Sequence, residues 1–404
     1  MGWHLEKNSA TGFVISKPLN GIDLTTEPGQ RIISTDRQTG TNNFSPAISS
    51  KMLFGSNRFR GIKTISVRDS TVTFIIRNFF QANRVMLAGS FNNWSPSNLA
   101  MRKTNNGWEA GIKLAPGKHT YKFVVDGRWL IDPENQNREN DGRGNTNSVY
   151  FRPNVIFVLR GYTAAKKVYL SGSFNNWRPR DIALQKMADG WELPLYLTQG
   201  THTYRFIVDG NWMADPNNSN RLPNEYNEYN SVIRLGKPFV FRLPGYLTAR
   251  PVVLSGSFNN WRSDELFMQK TPAGWELPYT LGPGNYEYRF RVDGKWMADP
   301  ANPVTVSNSA GNKSFYLILN PNHTFRLKNS PDARQVFLAG DFNNWSPTAL
   351  RMKKVNGDWV FSVYLAPGKT CYKFVVDGKW IIDPGNKLWE QNEYGTGNSI
   401  LWLE

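Results

Sequence analysis

"YKFVVDGRWLID" occupies residues 121–132. Aromatic and β-branched residues run to Val125, Asp126-Gly127 intervenes, and a second apolar run follows. Asp-Gly supplies the positive φ angles that a type I′ turn requires, the two-residue link that suits the twist of paired strands. A turn at Asp126-Gly127 pairs Val125 with Arg128, Val124 with Trp129, Phe123 with Leu130 and Lys122 with Ile131. Side chains alternate faces along a strand. Tyr121, Phe123 and Val125 therefore share one face with Leu130, the expected core face. Lys122, Val124 and Trp129 share the opposite face, where Lys122 and Trp129 are diagonal neighbours within reach of each other.

The hairpin returns as "YRFIVDGNW" (204–212), "YRFRVDGKW" (288–296) and "YKFVVDGKW" (372–380). A second motif keeps the same period: "GSFNNW" at 89–94, 172–177 and 256–261, and "GDFNNW" at 340–345. Its tryptophans, Trp94, Trp177, Trp261 and Trp345, are spaced by 83, 84 and 84 residues. Between the two lies a third, "GWEAGIKLAPG" (107–117), with counterparts at 190–200, 274–284 and 358–368. Such a period is domain-sized, whereas solenoid repeats of about 20–45 residues cannot stand alone.

The chain thus divides into units over 70–152, 154–236, 237–320 and 321–404, joined by very short linkers. Short apolar runs in each are broken by Gly, Pro, Asn and Asp every 8–12 residues or so, the pattern of an all-β sandwich. In the first unit the expected strands are "TVTFII", "RVMLAG", "WEAGIKL", "HTYKFVV", "WLID" and "SVYF". Residues 1–69 do not repeat and take no functional assignment; an extended arm on the first unit or a disordered lead is expected there.

Of the 404 residues, 14% are aromatic and 15 are Trp, a residue of binding surfaces as well as cores. The formal net charge of +16 favours contact with anionic partners without dictating a fold. A single cysteine, Cys371, excludes an internal disulfide framework. No apolar run approaches the ~18 residues of a membrane span. The N-terminus lacks the apolar stretch of a signal peptide, which favours the cytoplasm. A chain opening Met-Gly and closing Leu-Glu is also compatible with removal of a native leader, in which case export is the expectation.

A cation beside a Trp on an outward face offers a flat ring for stacking and a donor at its edge. The pairs are Lys122 with Trp129, Arg205 with Trp212, Arg289 with Trp296, and Lys373 with Trp380. Trp on a sheet can equally be core, and a cation over it can be no more than a surface cation–π pair. The third tryptophan of each unit, at 108, 191, 275 and 359, opens an apolar strand and is read as structural.

Together, "VYLSGSFNNW" (168–177), "YKFVVDGRWLIDP" (121–133) and a closing Asn-Ser strand resemble the glycogen-binding domain of the AMP-activated protein kinase β subunit. That domain is an early-set carbohydrate-binding module of family 48, and the resemblance spans each unit from end to end. It implies four immunoglobulin-like (early-set) β-sandwiches that bind α-1,4-glucan through two Trp, a Lys and an Asn near the final strand. The matching residues are Trp94, Lys122, Trp129 and Asn147 in the first unit, and Trp177, Arg205, Trp212 and Asn230 in the second. The fourth has Trp345, Lys373, Trp380 and Asn398. The third keeps Trp261, Arg289 and Trp296, but its last position falls on Lys313, with Asn312 one place earlier. Arginine for lysine keeps the charge and alters the donor geometry, so unequal sites are expected.

No catalytic apparatus stands out. The Asp of "VDG" and "DP" read as turn residues, the four His are scattered, and neither a metal site nor a cofactor is implied. The leading expectation is a non-catalytic, multivalent α-glucan binder serving a glucan-active enzyme or transporter. A structural or protein–protein interaction chain, with its Trp packed between neighbours, is the alternative. Nucleic-acid binding through the +16 charge ranks last, since the basic residues are dispersed.

Overall fold

The structure, a computed structural model, describes strands His4–Ser9 and Gly12–Ser16 and residues 54–60, 64–68 and 70–403. Excepted are 142–143, 225, 227, 298, 300, 303, 308–312 and 367. Most of the 1–69 extension therefore lies outside the described residues, as does Asn312. No helix among them is long and apolar enough to cross a membrane.

The Asp-Gly turns form in all four units: Asp126, Asp209, Asp293 and Asp377 have φ of 46–47°, and the following glycines 80–95°. The ladder matches Arg128 with Val125, Trp129 with Val124 and Leu130 with Phe123, then stops short of Ile131. The turn aspartate is also an anchor. Asp126 Oδ1 accepts from the backbone N–H of Arg84 (2.8 Å) and Asn83 (3.0 Å), tying the hairpin to the start of the neighbouring strand.

Each unit is two antiparallel sheets face to face. In the first, Gly117–Val125 carries Val85–Gly89 along one edge. Along the other it carries Thr146–Arg152 and the hairpin strand Arg128–Leu130, with Arg138–Asn140 outermost. The facing sheet runs Ile65–Arg68, Thr71–Ile76, Gly107–Lys113, Arg102–Thr104. Val72, Phe74 and Ile76 meet Leu87, Tyr121 and Phe123 in a sealed core. Three short strands, Ile65–Arg68, Arg102–Thr104 and Arg138–Asn140, were absent from the sequence expectation. "RKT" and "REN" are polar edge strands with no apolar alternation, and charge is what keeps such edges from pairing with other chains.

The "DP" aspartates do more than turn the chain. Asp132 is buried and accepts hydrogen bonds from the Tyr121 hydroxyl (2.7 Å) and Thr64 Oγ1 (2.8 Å), while Asn135 Nδ2 donates to the Tyr121 oxygen and to Val149 O. Tyr204–Asp215–Asn218, Tyr288–Asp299–Asn302 and Tyr372–Asp383–Asn386 repeat the network. Burial pushes each of these tyrosines well above the ordinary phenol range. The four structural tryptophans are buried with their indole N–H satisfied, Trp108 by Phe79 O at 2.9 Å and the others likewise.

For residues 1–69 the sequence reading offers an arm on the first unit or a disordered lead. Residues 54–60 instead serve two units. Phe54–Gly55 adds a strand to Gly190–Leu197 of the second unit, and the Phe54 ring lies 5.9 Å from Phe174. Asn57 then clamps both backbone groups of Phe151 in the first unit, at 2.7 and 2.9 Å. Gly55 is required because a Cβ there would sit 2.0 Å from the Phe151 ring.

Candidate glucan-binding faces

Five of the six hexapeptide residues build the platform for the sixth. Gly89 is extended, so its need is space: a Cβ would lie 2.4 Å from Thr120 O. Ser90 Oγ accepts from Thr120 N (3.2 Å), and Phe91 packs against the core near Phe74. Asn92 Oδ1 accepts from Gly89 N (2.9 Å) and its Nδ2 donates to Leu87 O (3.0 Å), closing a 3₁₀ turn. Asn93 takes the left-handed conformation (φ 52°), which Asn tolerates. Trp94 follows at φ 58°, a region uncommon for bulky residues. Trp177, Trp261 and Trp345 repeat it at 56–59°. Strain of this kind, repeated four times and over-determined by its surroundings, is characteristic of functional positions. In the fourth unit Asp341 replaces the serine, accepting from Cys371 N (2.7 Å) and from the Trp345 indole N–H (3.1 Å), which fixes that ring.

The hairpin tryptophans stand on the outer sheet face: Trp129, Trp212, Trp296 and Trp380 are 40–45% exposed. The hexapeptide tryptophans are half-buried beside them. Trp94 and Trp129 have ring centroids 6.4 Å apart and planes inclined by 44°. Trp177–Trp212 (6.3 Å, 44°) and Trp345–Trp380 (6.4 Å, 41°) repeat the pair. Under it the face is apolar: Met86, Ala88 and Val124 form a buried cluster apart from the main core.

The cations lie on the same face, in different states. Lys122 has no hydrogen-bond partner among the described residues. Arg205 is buried, ion-paired with Glu228 through Nη1 and bonded to Trp212 O through Nη2 at 3.1 Å. Lys373 is buried, donates to Thr396 Oγ1 (2.8 Å), and has its pKa lowered by desolvation. The closing strand supplies the asparagine. Ser148 pairs with Tyr121, which places Asn147 beside Lys122 on the outer face, and Asn230 and Asn398 take the same register.

The profile of a family described as the glycogen recognition site of AMP-activated protein kinase matches residues 72–152, 155–242, 237–325 and 323–404. The chain belongs to that family. Among its relatives, human 5'-AMP-activated protein kinase subunit beta-2 is 44% identical over 133 residues, 33% of this chain and 42% of that protein. Pig subunit beta-1 is 36% identical over 80 residues, 20% of this chain and 63% of that sequence. The Arabidopsis chloroplastic protein PTST homolog 2 is 47% identical over 53 residues, 13% of this chain and 10% of its own. The matches thus cover less than two thirds of these relatives. A maltogenic amylase from S. marinus aligns structurally at 12% identity with a TM-score of 0.20, over 66% of this chain and 31% of its own, too low to carry an argument.

The third recognition unit departs from the others. The sequence reading placed its last site position on Lys313. The ladder pairs Tyr288 with Phe315, so the residue in the asparagine position is Ser314, and exposed Lys313 lies one step further out. The difference at Arg291 is larger. The cross-strand partner of the hairpin Trp is Val124, Ile207 or Val375 elsewhere, and Arg291 here. Arg291 Nη1 donates to Ser263 Oγ (3.3 Å), two residues past Trp261, and Nε to Gly294 O (3.1 Å). The guanidinium thus bridges hexapeptide loop and hairpin. Arg289 lies over Trp296 at 5.6 Å, and among the described residues no ring contact joins Trp261 to Trp296.

Sequence reasoning also missed the loop before the site asparagine. Asn224 Oδ1 accepts from the N–H of Tyr226 and Glu228, and Asn392 Oδ1 from Tyr394 and Thr396. Their amides donate to the site residues Asn230 and Asn398. The turn leaves Tyr226 and Tyr394 74% and 80% exposed at the loop tip and brings Glu228 and Thr396 to the cation. "NEY" at equivalent places in the second and fourth units was the available signal.

Proposed function

We propose that the chain is a non-catalytic, multivalent binder of α-1,4-glucan, gripping glycogen, starch or a maltooligosaccharide at tryptophan-pair faces and tethering it for a glucan-active enzyme or transporter. The observation that carries this reading is the ring pair formed in three units at one spacing and one inclination. Two planes tilted by 41–44° cup a curved chain better than a flat one. Each glucose offers an apolar ring face to an indole and hydroxyls to the lysine or arginine and asparagine beside it. Stacking on one ring that buries on the order of 100 Å² of apolar surface contributes about 2–3 kcal/mol, and ordering losses reduce it. One face is therefore weak, and several engaged on one polymer gain ~10²–10⁴ in avidity. The 40–45% exposure of the hairpin tryptophans speaks against the alternative in which they pack between neighbours.

Affinity electrophoresis through glycogen, amylopectin and a β-linked glucan control tests the proposal. Retardation by the two α-glucans and not by the control is expected. Migration unaffected by either α-glucan overturns it.

A further inference from the structure

One register position recurs at every junction between units. Phe151, Arg234 and Ile318 lie opposite Lys118, Thr201 and Asn285 in their ladders. At the first junction Phe151 stacks on Tyr196 of the second unit, 6.4 Å apart and 18° from parallel. At the second, Thr201, the ladder partner of Arg234, donates through Oγ1 to Thr280 O (2.9 Å). At the third, Ile318 packs with buried Tyr316 and Val306 into the core cluster of the fourth unit, and Asn285 clamps Tyr364 O and N at 2.7 and 3.2 Å. The receiving positions are equivalent too: Tyr196, Thr280 and Tyr364 differ by 84 residues at each step.

In the fourth unit the same position, opposite Lys369, is Trp402. It is 43% exposed, with Ile400 half-buried where the third unit has Tyr316, and Leu388 58% exposed where it has Val304. Three units use this part of the sheet to hold the next one, and the fourth fills it with large apolar residues. Contiguous apolar surface of this kind marks an interaction site.

We propose that this face docks on the first unit of a second copy of the chain, head to tail. In the first unit the receiving position is Lys113, at the end of Gly107–Lys113, and it is exposed. Arg102–Thr104 pairs only with 107–109 on that edge, so the stretch beyond has no ladder partner there among the described residues. The equivalent edge of the second unit is the one that takes up Phe54–Gly55. A lysine meeting an exposed indole adds a cation–π pair to the apolar contact. Two different surfaces meet, so the association is heterologous and extends until a ring closes or the chain stays open.

Sedimentation velocity without glucan, over a concentration series, tests this. The weight-average sedimentation coefficient of the wild type should rise with concentration, and Trp402→Asp and Lys113→Glu should each flatten it. Each variant keeps one intact end, so an equimolar mixture should form a capped one-to-one dimer that neither forms alone. Lys113 lies on the other sheet of its unit, and Trp402 lies four residues beyond Asn398 on the same strand. Thermal midpoints equal to the wild type's, rather than glycogen retention, therefore report that the variants are folded. A wild type whose coefficient does not rise, a Trp402→Asp variant that associates as before, or a mixture that stays monomeric overturns the proposal.

Discussion

The first and third recognition units share a backbone, a hexapeptide and a hairpin, yet their outer faces differ. In the first, Val124 lies under a closed ring pair and Lys122, beside Asn147, has no hydrogen-bond partner among the described residues. In the third, Arg291 spans the gap the rings would close, Arg289 lies on Trp296, and Ser314 stands where the asparagine belongs. The fold tolerates these exchanges because Tyr288 and Phe290, on the opposite face of the same strand, still fill the sandwich behind them. A repeated fold can thus hold its architecture while its binding faces diverge.

The sharpest way to break the comparison is to leave the full-length chain with one face at a time. Trp212→Ala/Trp296→Ala/Trp380→Ala keeps only the first face. Trp129→Ala/Trp212→Ala/Trp380→Ala keeps only the third. Against wild type, the first-face chain should lose ~10²-fold or more in apparent affinity for glycogen through lost multivalency. The third-face chain should fall about tenfold further, the equivalent of ~1.4 kcal/mol. Equal retardation of the two in affinity electrophoresis would remove the distinction between the faces.

A converse experiment rebuilds the third face. Arg291→Val restores the residue class beneath the other hairpin tryptophans, and Ser314→Asn restores an amide that can bond a hydroxyl. One such bond contributes about 0.5–1.5 kcal/mol. In the background that keeps only the third face, the pair should raise maltoheptaose affinity several-fold by isothermal titration, most of it from Arg291→Val. No gain would show that something other than the ring pair sets the difference.

What the sequence could and could not tell follows from range. The turn Asp126-Gly127 and the pairings it dictates are local, so the register and the two faces are legible in the residues themselves. The hexapeptide is legible as a motif, but the division of labour within it is not, since Gly89 is required by Thr120 O, thirty-one residues away. The Arg291 exchange is visible in "YRFRVDGKW", but its consequence depends on Ser263, brought near only by folding. The shift from Lys313 to Ser314 was legible in the period, since Ser314 lies 84 residues from both Asn230 and Asn398. The likeness of "KSFY" to "NSVY" points one place short, and the ladder with Tyr288 bears out the period. The 54–60 clasp depends on two units at once, and no periodicity announces it.

The third unit also differs in what it buries. At the position of Thr120, Thr203 and Cys371 it has Glu287, nearly inaccessible, whose carboxyl is pushed up by burial and partly eased back by the Ser314 hydroxyl. A carboxyl raised in the folded state contributes stability below its unfolded pKa, and that contribution is lost as pH rises through the folded value. Glu287→Gln should therefore raise the thermal midpoint at neutral pH, and the gain should shrink in acid as pH falls towards the ordinary glutamate range of about 4. Calorimetry at the two pH values checks it, and a gain independent of pH would assign the effect to packing instead.

The smallest effect is expected at the second face, which has the ring pair but whose cation is occupied. Arg205 divides its guanidinium between Glu228 and the Trp212 carbonyl. Glu228 is half-exposed, so the pair contributes little to stability, within about 1 kcal/mol. Its cost to binding is that one Nη must leave a carboxylate before it can reach a sugar. Glu228→Gln keeps the loop, since Asn224 holds it through the Glu228 N–H and not through the carboxylate. In a chain left with only the second face, the substitution should strengthen maltoheptaose binding by about two- to threefold, a few tenths of a kcal/mol. Weaker binding would mean that the carboxylate orients Arg205 for the ligand. In that case the Lys122 of the first face, unpartnered among the described residues, would be the less ordered donor of the two.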